Sequence, residues 1–405
     1  MKEKKKVVVF LADGMADDPQ EVLNGKTPLE FANTPGMDEI ARSGINGSFR
    51  TLPPGLPTSS DVANMSVLGF QPEHNYPGRG PIEAVSQGIE LAPGDVAWRC
   101  NLVYASDDGI LRDYSAGHIS NEDAAELMAA LKAEFDSPQV TFYSGVSYRN
   151  LLVLHGKEFS ADVDYFKPDS SQDLPLEELR LSPLNDSPEA RHTVEFLRDL
   201  EERAAKFLAA HPLNAGKAAP ANRIWPWSPG YSPKIANFSE LYNGSTGAVI
   251  SAVDVIKGIG LCSKMDVIDV PGATGFLDTN YAGKVEAALA ALKTHDLVYL
   301  HVEAIDECSH MGDLKLKLQA IEEFDAKIVV PVLEALRGEK VNFAVLPDHP
   351  VPVKLRQHTT TPVPLAVCGP DIKADEVQYF SEQLAPTGEL GLLSKDELIR
   401  KLLEA

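Results

Sequence analysis

The sequence predicts an α/β protein, with a mainly parallel sheet sandwiched by helices and a smaller α/β (α+β) domain inserted into it. Three observations carry this. Valine-rich apolar runs recur at Lys6–Ala12, Leu297–Val302, Val341–Leu346 and Pro364–Cys368, and continuous runs of this kind suit strands buried on both faces. Helical patterns alternate with them in the last third of the chain, as a parallel sheet requires. The middle of the chain changes character between two stretches rich in proline and glycine, Gln71–Pro93 and Pro212–Pro233.

The elements follow in order. Lys6–Ala12 (KVVVFLA) is the first strand and ends at Asp13. Asn121–Phe135 reads as an amphipathic helix with Leu127, Leu131 and Phe135 on one stripe, and Ala190–Ala210 reads as a second, longer one. Tyr143–Leu154 contains a strand. Tyr281–Leu292 is an alanine-rich helix. Leu314–Leu336 is another, with apolar residues at Leu314, Leu318, Ile321, Phe324 and Ile328, which Pro331 kinks or divides. Ser394 and Glu397 form a capping-box pattern for a terminal helix. The proline-rich stretches read as crossovers, so residues 1–75 and 234–405 are expected to form one discontinuous domain and 76–233 the insert.

Bulk properties narrow the function. A chain of 405 residues is long for a single core. Its 44% hydrophobic and 24% charged content is ordinary for a soluble globular protein. A net charge of −22 repels nucleic acid and anionic membranes, so neither is an expected partner. The same field repels an anionic substrate unless local arginines, lysines or metal ions reverse it. The four cysteines, Cys100, Cys262, Cys308 and Cys368, form no Cys-x-x-Cys pair and no disulfide framework, which fits a reducing cytoplasm. The start, MKEKKKVVVFLADG, is basic and then apolar, but its apolar run is too short for a signal peptide. No stretch approaches a membrane span.

Parallel sheets bind ligands beyond the carboxyl ends of their strands. Asp13 directly follows the first strand, Asp306 lies beyond Leu297–Val302, and Asp348 and His349 follow Val341–Leu346. Three fragments thus deliver metal-ligand residue types to one edge. Asp306 and His310, four apart on a helix, share a face and can chelate one ion. Cys308 would point away from both and pack. Asp348 and His349 are adjacent and point in different directions. They suit two neighbouring ions, or one ion with loop backbone. His358 follows a short loop later. Carboxylate and imidazole ligands suit Mn, Zn, Co or Mg, with Mn or Zn favoured.

Ser60 ends a proline-rich approach, LPPGLPTSSDVAN, at the start of a helical pattern. A serine there can cap the helix. It can also be a nucleophile, facing the positive end of the dipole with its pKa lowered by a nearby metal. Ser59 is the rival for this role. Asn64, one turn on, is placed to donate to a phosphoryl oxygen. The insert holds candidate anion clamps at Arg99 with Asn101 (WRCN), Arg112, Arg149 and Arg223, since arginine binds carboxylate and phosphate bidentately. Asp113 is a candidate general base on a hydroxyl. Lys264, before the glycine-rich turn VPGATG, is a candidate to hold a transferring phosphoryl group, although the turn lacks the P-loop ending.

The ordered set Asp13, Ser60-Asp61-Val62-Ala63-Asn64, Asp306-x-x-x-His310, Asp348-His349 and His358 resembles the alkaline phosphatase superfamily. Within it, LADGMAD, SSDVAN, LGF, RCNLV, DYSAGHI, VSYRNLLVL and VPGATG resemble the archaeal-type branch of the cofactor-independent phosphoglycerate mutases, over most of the chain. The resemblance implies an alkaline-phosphatase-like fold that binds two divalent metal ions. One ion would be held by Asp306, His310 and His358, and the other by Asp13, Asp348, His349 and the Ser60 oxygen. It implies that Ser60 takes the phosphoryl group, that the insert grips a small phosphorylated or hydroxylated acid, and that no bisphosphoglycerate is needed to interconvert 3- and 2-phosphoglycerate. Two stretches depart from the branch: YFKPDSSQD (165–173) lacks its histidine, and NRIWPWSPGY differs from its usual wording. They keep open a homoserine-kinase-like phosphotransferase on the same scaffold. A metal-dependent phosphohydrolase and a non-catalytic metal-binding protein are the remaining readings. The sequence sets no oligomeric state.

Overall fold

The first predicted strand, β1 (Lys6–Ala12), lies inside an eight-stranded sheet. The others are β2 (Ile45–Arg50), β3 (Gly247–Ile250), β4 (Asp266–Val267), β5 (Leu297–Val302), β6 (Val341–Leu346), β7 (Val363–Cys368) and β8 (Gly391–Ser394), in the order β4-β3-β5-β1-β6-β7-β2-β8. This is a computed structural model that describes residues 5–404. The first four residues of the basic start and Ala405, the last residue of the predicted terminal helix, lie outside the described residues.

All residues of β5 and β6 are buried, as are six of the seven in β1. Their unbroken apolar runs therefore reflect helices on both faces rather than one wet face. Phe10 and Phe343 stack at 6.1 Å within this core. The register sets up the site: Ala12 pairs with Val302, and Leu11 with Leu346, so β1, β5 and β6 end level. The residues after them leave from one edge. One strand breaks the expectation. β7 runs antiparallel to both β6 and β2, so the sheet is mixed although mainly parallel. Periodicity cannot report strand direction.

The predicted helix Leu314–Leu336 is three pieces: Leu314–Phe324, a π-helical turn Asp325–Val329, and Val330–Ala335. Pro331 falls in the first turn of the last piece, where its missing N–H costs no intrahelical bond. The irregular turn just before it absorbs the break. At the carboxyl end, Ser394 N donates to Glu397 Oε2 at 2.7 Å, and its hydroxyl turns to the same oxygen at 3.2 Å. The serine thus leaves the reciprocal half of the capping box unmade.

The chain divides into two compact units, Met1–Tyr76 with Ile235–Ala405, and Pro77–Lys234. The second unit has its own antiparallel sheet of Val96–Ala105, Leu111–Asp113, Val140–Val146, Arg149–Leu154 and Arg223–Gly230. Helices Asn121–Phe135 and Pro188–Ala210 pack on it around Trp98, Leu127, Leu152 and Leu197. The single strand expected in Tyr143–Leu154 is a hairpin, turned at Ser147 with φ 55°. The two stretches read as crossovers are structured as well. The first holds helices Pro72–Asn75 and Arg79–Ser86, and the second holds the strand Arg223–Gly230. That strand pairs only with Val96–Ala105, so its two prolines, Pro226 and Pro229, lie on an edge and need not donate to a ladder. Among the described residues, no helix is long and apolar enough to cross a membrane.

Candidate metal centre and nucleophile

The chain turns at Gly14, with φ 65°, immediately after Asp13. A Cβ at this position would sit 2.8 Å from Asp306 Cα, so only glycine lets the β1 and β5 loops approach this closely. The Gly14 amide donates to Asp348 Oδ1 at 3.1 Å and binds the β6 loop to the same point.

Two groups of side chains result. Asp306 and His310 lie on the helix Ala304–His310 with Nε2 and Oδ2 3.4 Å apart. His358 Nε2 is 3.5 Å from Asp306 Oδ1 and 2.9 Å from His310 Nε2. In the second group, His349 Nε2 is 3.5 Å from Asp13 Oδ1 and 3.3 Å from Asp348 Oδ2. Ser60 Oγ joins it, 3.0 Å from His349 Nε2. The His349 and His358 rings stack with centroids 3.8 Å apart, which makes the two groups neighbours.

These groups fit divalent cations. Ligand atoms held tetrahedrally at about 2.0–2.1 Å from one ion lie roughly 3.3 Å from each other, near the spacings found. Asp13 Oδ1 and Asp306 Oδ1 are buried without a hydrogen-bond partner, an arrangement costly to a carboxylate unless a cation answers it. Burial pushes the Asp13 carboxyl well up, and Asp348 and Asp306 beside it push it further. Burial raises Asp348 too. Burial also acts to raise Asp306, but His310 and His358 outweigh it and hold this carboxyl below the usual range. Conversely, Asp306 overcomes the burial of His310 and lifts it to about 9.

The surrounding residues fix these atoms. Asn64 is saturated: its amide donates to Ser60 O at 2.7 Å and Asp348 Oδ2 at 2.9 Å, and its Oδ1 accepts from Tyr299 at 2.5 Å. His310 Nδ1–H donates to Arg356 O at 2.9 Å, which leaves Nε2 facing the group. Lys317, fully buried, donates to Gly14 O, Ala16 O, Val351 O and Asp17 Oδ2 at 2.9–3.4 Å. One ammonium thereby binds the loops after β1 and β6 together. His301 Nε2 meets Asp13 Oδ2 at 3.0 Å. Sequence reasoning missed Lys317, His301 and Tyr299. The available signal was a histidine and a tyrosine inside the apolar run LVYLHV, where buried polar groups need partners.

The 2,3-bisphosphoglycerate-independent phosphoglycerate mutase family model matches residues 41–214. A Methanosarcina barkeri protein named 2,3-bisphosphoglycerate-independent phosphoglycerate mutase is 46% identical over 407 residues, covering 99% of this chain and 100% of that protein. This chain belongs to that family. Two solved structures resemble it along their length. A Pyrococcus horikoshii protein is 28% identical with a TM-score of 0.82, covering 99% of this chain and 97% of its own. The cofactor-independent phosphoglycerate mutase of Thermoplasma acidophilum is 29% identical with a TM-score of 0.64, and 98% of each chain is covered. The likeness to the mutase family therefore spans both units.

Several residues expected to serve this chemistry are occupied elsewhere. Ser59 takes the N-cap of the Ser60–Val67 helix and its hydroxyl donates to Pro57 O at 3.5 Å, so Ser60 is the serine that reaches His349. Asn64 has no donor left for a phosphoryl oxygen. Lys264 precedes β4, whose Asp266 pairs with Ala248 of β3, so it lies at the amino-terminal edge of the sheet. That edge is roughly 15–20 Å along the strands from the one carrying Asp13. Arg112 is exposed and paired with Asp108 and Asp173 at 3.3 and 2.9 Å. Asp113 accepts from Ser115 N, Ser115 Oγ and Gly117 N at 2.7, 2.7 and 3.0 Å, so it shapes its own turn. Arg99 is buried against both Glu83 oxygens at 2.5 Å and donates to Asn101 Oδ1 at 3.1 Å. Asn101 Oδ1 also accepts from Trp227 at 3.0 Å. Arg149 lies 4.7 Å over the Tyr148 ring, and Arg223 opens the edge strand opposite Val103. Cys308 is buried in the core, as expected.

Proposed function

We propose that this chain is a metal-dependent phosphoglycerate mutase that interconverts 3- and 2-phosphoglycerate through a phosphoserine at Ser60. The observation that carries the reading is Ser60 Oγ at 3.0 Å from His349 Nε2, within the second of two neighbouring acid–imidazole groups. We assign Asp306, His310 and His358 to one divalent ion, and Asp13, Asp348, His349 and the Ser60 oxygen to the other. Manganese is the proposed metal, with zinc, cobalt and magnesium as competitors. When bound, such ions supply positive charge that favours an ionised serine and a phosphoryl group in transfer.

The chain does the rest. Ser60 Oγ attacks phosphorus: its P–O bond forms while the substrate's ester O–P bond breaks, and the departing glycerate oxygen takes up a proton. The glycerate turns in place. Its other hydroxyl then attacks the phosphoserine, losing its proton as Ser60 Oγ departs. No bisphosphoglycerate enters the cycle. Asn64, bonded to Ser60 O and Asp348, keeps the nucleophile registered against its neighbours. Water must stay out between the two transfers, or the enzyme becomes a phosphatase. We assign substrate recognition to the inserted unit.

The relatives' shared name supports the mutase over a homoserine-kinase-like phosphotransferase. The two unusual stretches of the insert are also one feature rather than two. Trp225 Nε1 donates to Phe166 O at 2.8 Å, and Tyr165 and Phe166 pack against Trp225 and Trp227. The test is intact-mass analysis after incubation with Mn²⁺ and 3-phosphoglycerate. A phosphoserine adduct absent from Ser60→Ala, with 2-phosphoglycerate formed and no free phosphate, is the expected result. Free phosphate as the product would make the protein a phosphohydrolase. If neither product forms, turnover of homoserine with ATP would replace the mutase reading.

A further inference from the structure

Asp13 and Asp348 each need one oxygen aimed at the same point, and a carboxylate on a loop does not hold that aim unaided. The groups that fix them converge on β5. His301 and Tyr299 are two residues apart on this strand, so they project from the same face, and both are completely buried.

The protons of this network can be ordered. Val253 N donates to Ser251 Oγ at 3.0 Å. Ser251 Oγ is 3.1 Å from His301 Nδ1, and His301 Nε2 is 3.0 Å from Asp13 Oδ2. With Asp13 ionised, Nε2 must carry the proton, because a carboxylate oxygen can only accept. A neutral imidazole then has its acceptor at Nδ1, and the Ser251 hydroxyl, already accepting from Val253, donates its one proton there. Asp13 Oδ2 is thus engaged, and Oδ1, which has no hydrogen-bond partner, is the oxygen left for a ligand role. The backbone is held as well, since Lys284 Nζ donates to His301 O at 2.8 Å. Tyr299 does the equivalent for Asp348. Its hydroxyl fixes Asn64, whose two N–H bonds then reach Asp348 Oδ2 and Ser60 O.

We infer that β5 positions the second metal group: His301, held between Asp13 and Ser251, aims Asp13 Oδ1, and Tyr299 acting through Asn64 aligns Asp348 with Ser60. These are positioning residues, and the inference rests on the two-ion reading above. The contacts of His310 run instead to Arg356 O and His358.

The test is calorimetric titration of the metal-free full chain with Mn²⁺. The parent takes up two ions. His301→Leu weakens one site about 10–100-fold and leaves the other within about twofold. His301→Gln, which keeps an N–H donor near the Nε2 position, recovers most of the loss, and Tyr299→Phe weakens the same site to a lesser degree. Repeating the series in a His310→Ala background isolates the second group. Imidazole ¹⁵N spectra read the contact with Asp13 separately: His301 is the Nε2–H form in the parent. If His301→Leu does not fold, the Gln and Phe arms carry the test. Equal weakening of both sites, no loss in any variant, or an Nδ1–H form of His301 in the parent would overturn the inference and leave the two-ion reading standing. A parent that binds no ion would overturn both.

Discussion

The two acid–imidazole groups use the same donor types but are built to opposite standards. In the second group the Asp13, Asp348 and His349 side chains are 2%, 0% and 0% exposed, and hydrogen bonds from His301, Asn64 and Gly14 brace both carboxylates. In the first, the His310 and His358 side chains are 34% and 15% exposed, and His310 is held by the Arg356 backbone carbonyl. One group is pre-organised by the protein. The other presents its two histidines closer to solvent. For the phosphoryl transfer proposed above, this division keeps the half that aligns the serine rigid.

The largest way to break the comparison is at the nucleophile. Ser60→Ala removes the hydroxyl bonded to His349 in the second group, and mutase turnover should fall by about 10⁴-fold or more while both ions still bind. Assay beside metal analysis checks this. Next is the brace behind the loops. Lys317→Met leaves Asp17 buried without its cation, and denaturant unfolding should show a loss of about 3–5 kcal/mol. Third, Asp13→Asn should act in opposite directions in the two metal states. Without metal it relieves repulsion among buried carboxylates and stabilises the chain. With Mn²⁺ present, it forfeits most of the metal-induced rise in Tm. His310→Ala, in the open group, should lower the affinity for one ion without the metal-free gain.

The smallest effect is a pH slope. Lys284, behind His301, has its pKa lowered by burial to about 8. The unfolded chain holds this proton to near 10.5, so between about 8 and 10.5 it binds more protons than the folded chain and stability rises with pH. Lys284→Met should flatten that rise in urea unfolding midpoints measured across the interval.

How much of this was legible depended on what each residue had to do. Asp13, Asp348 and His349 could be read because strands buried on both faces announce themselves as apolar runs, and whatever follows such a run lies at the ligand edge. Asp306 and His310 could be read from one helical turn. The braces could not. Lys317 looks like any helix-surface lysine, because its burial is decided by the loop after β1, some 300 residues away in sequence, together with the loop after β6. Lys264 misled for the converse reason: nearness to a glycine-rich turn is local, whereas the edge on which it falls is set by the parallel pairing of β4 with β3. Proline misled in Arg223–Gly230, where edge position removes the ordinary penalty. In the insert, Arg99 looked like a free clamp because its partner Glu83 lies on a separate helix.

The most direct measurement is anomalous diffraction from crystals of the full chain soaked in Mn²⁺. The account predicts two peaks, one amid Asp306, His310 and His358 and one amid Asp13, Asp348 and His349, with Ser60 Oγ about 2.0–2.2 Å from the second. Manganese bound elsewhere, or a second peak out of bonding reach of Ser60, would contradict it.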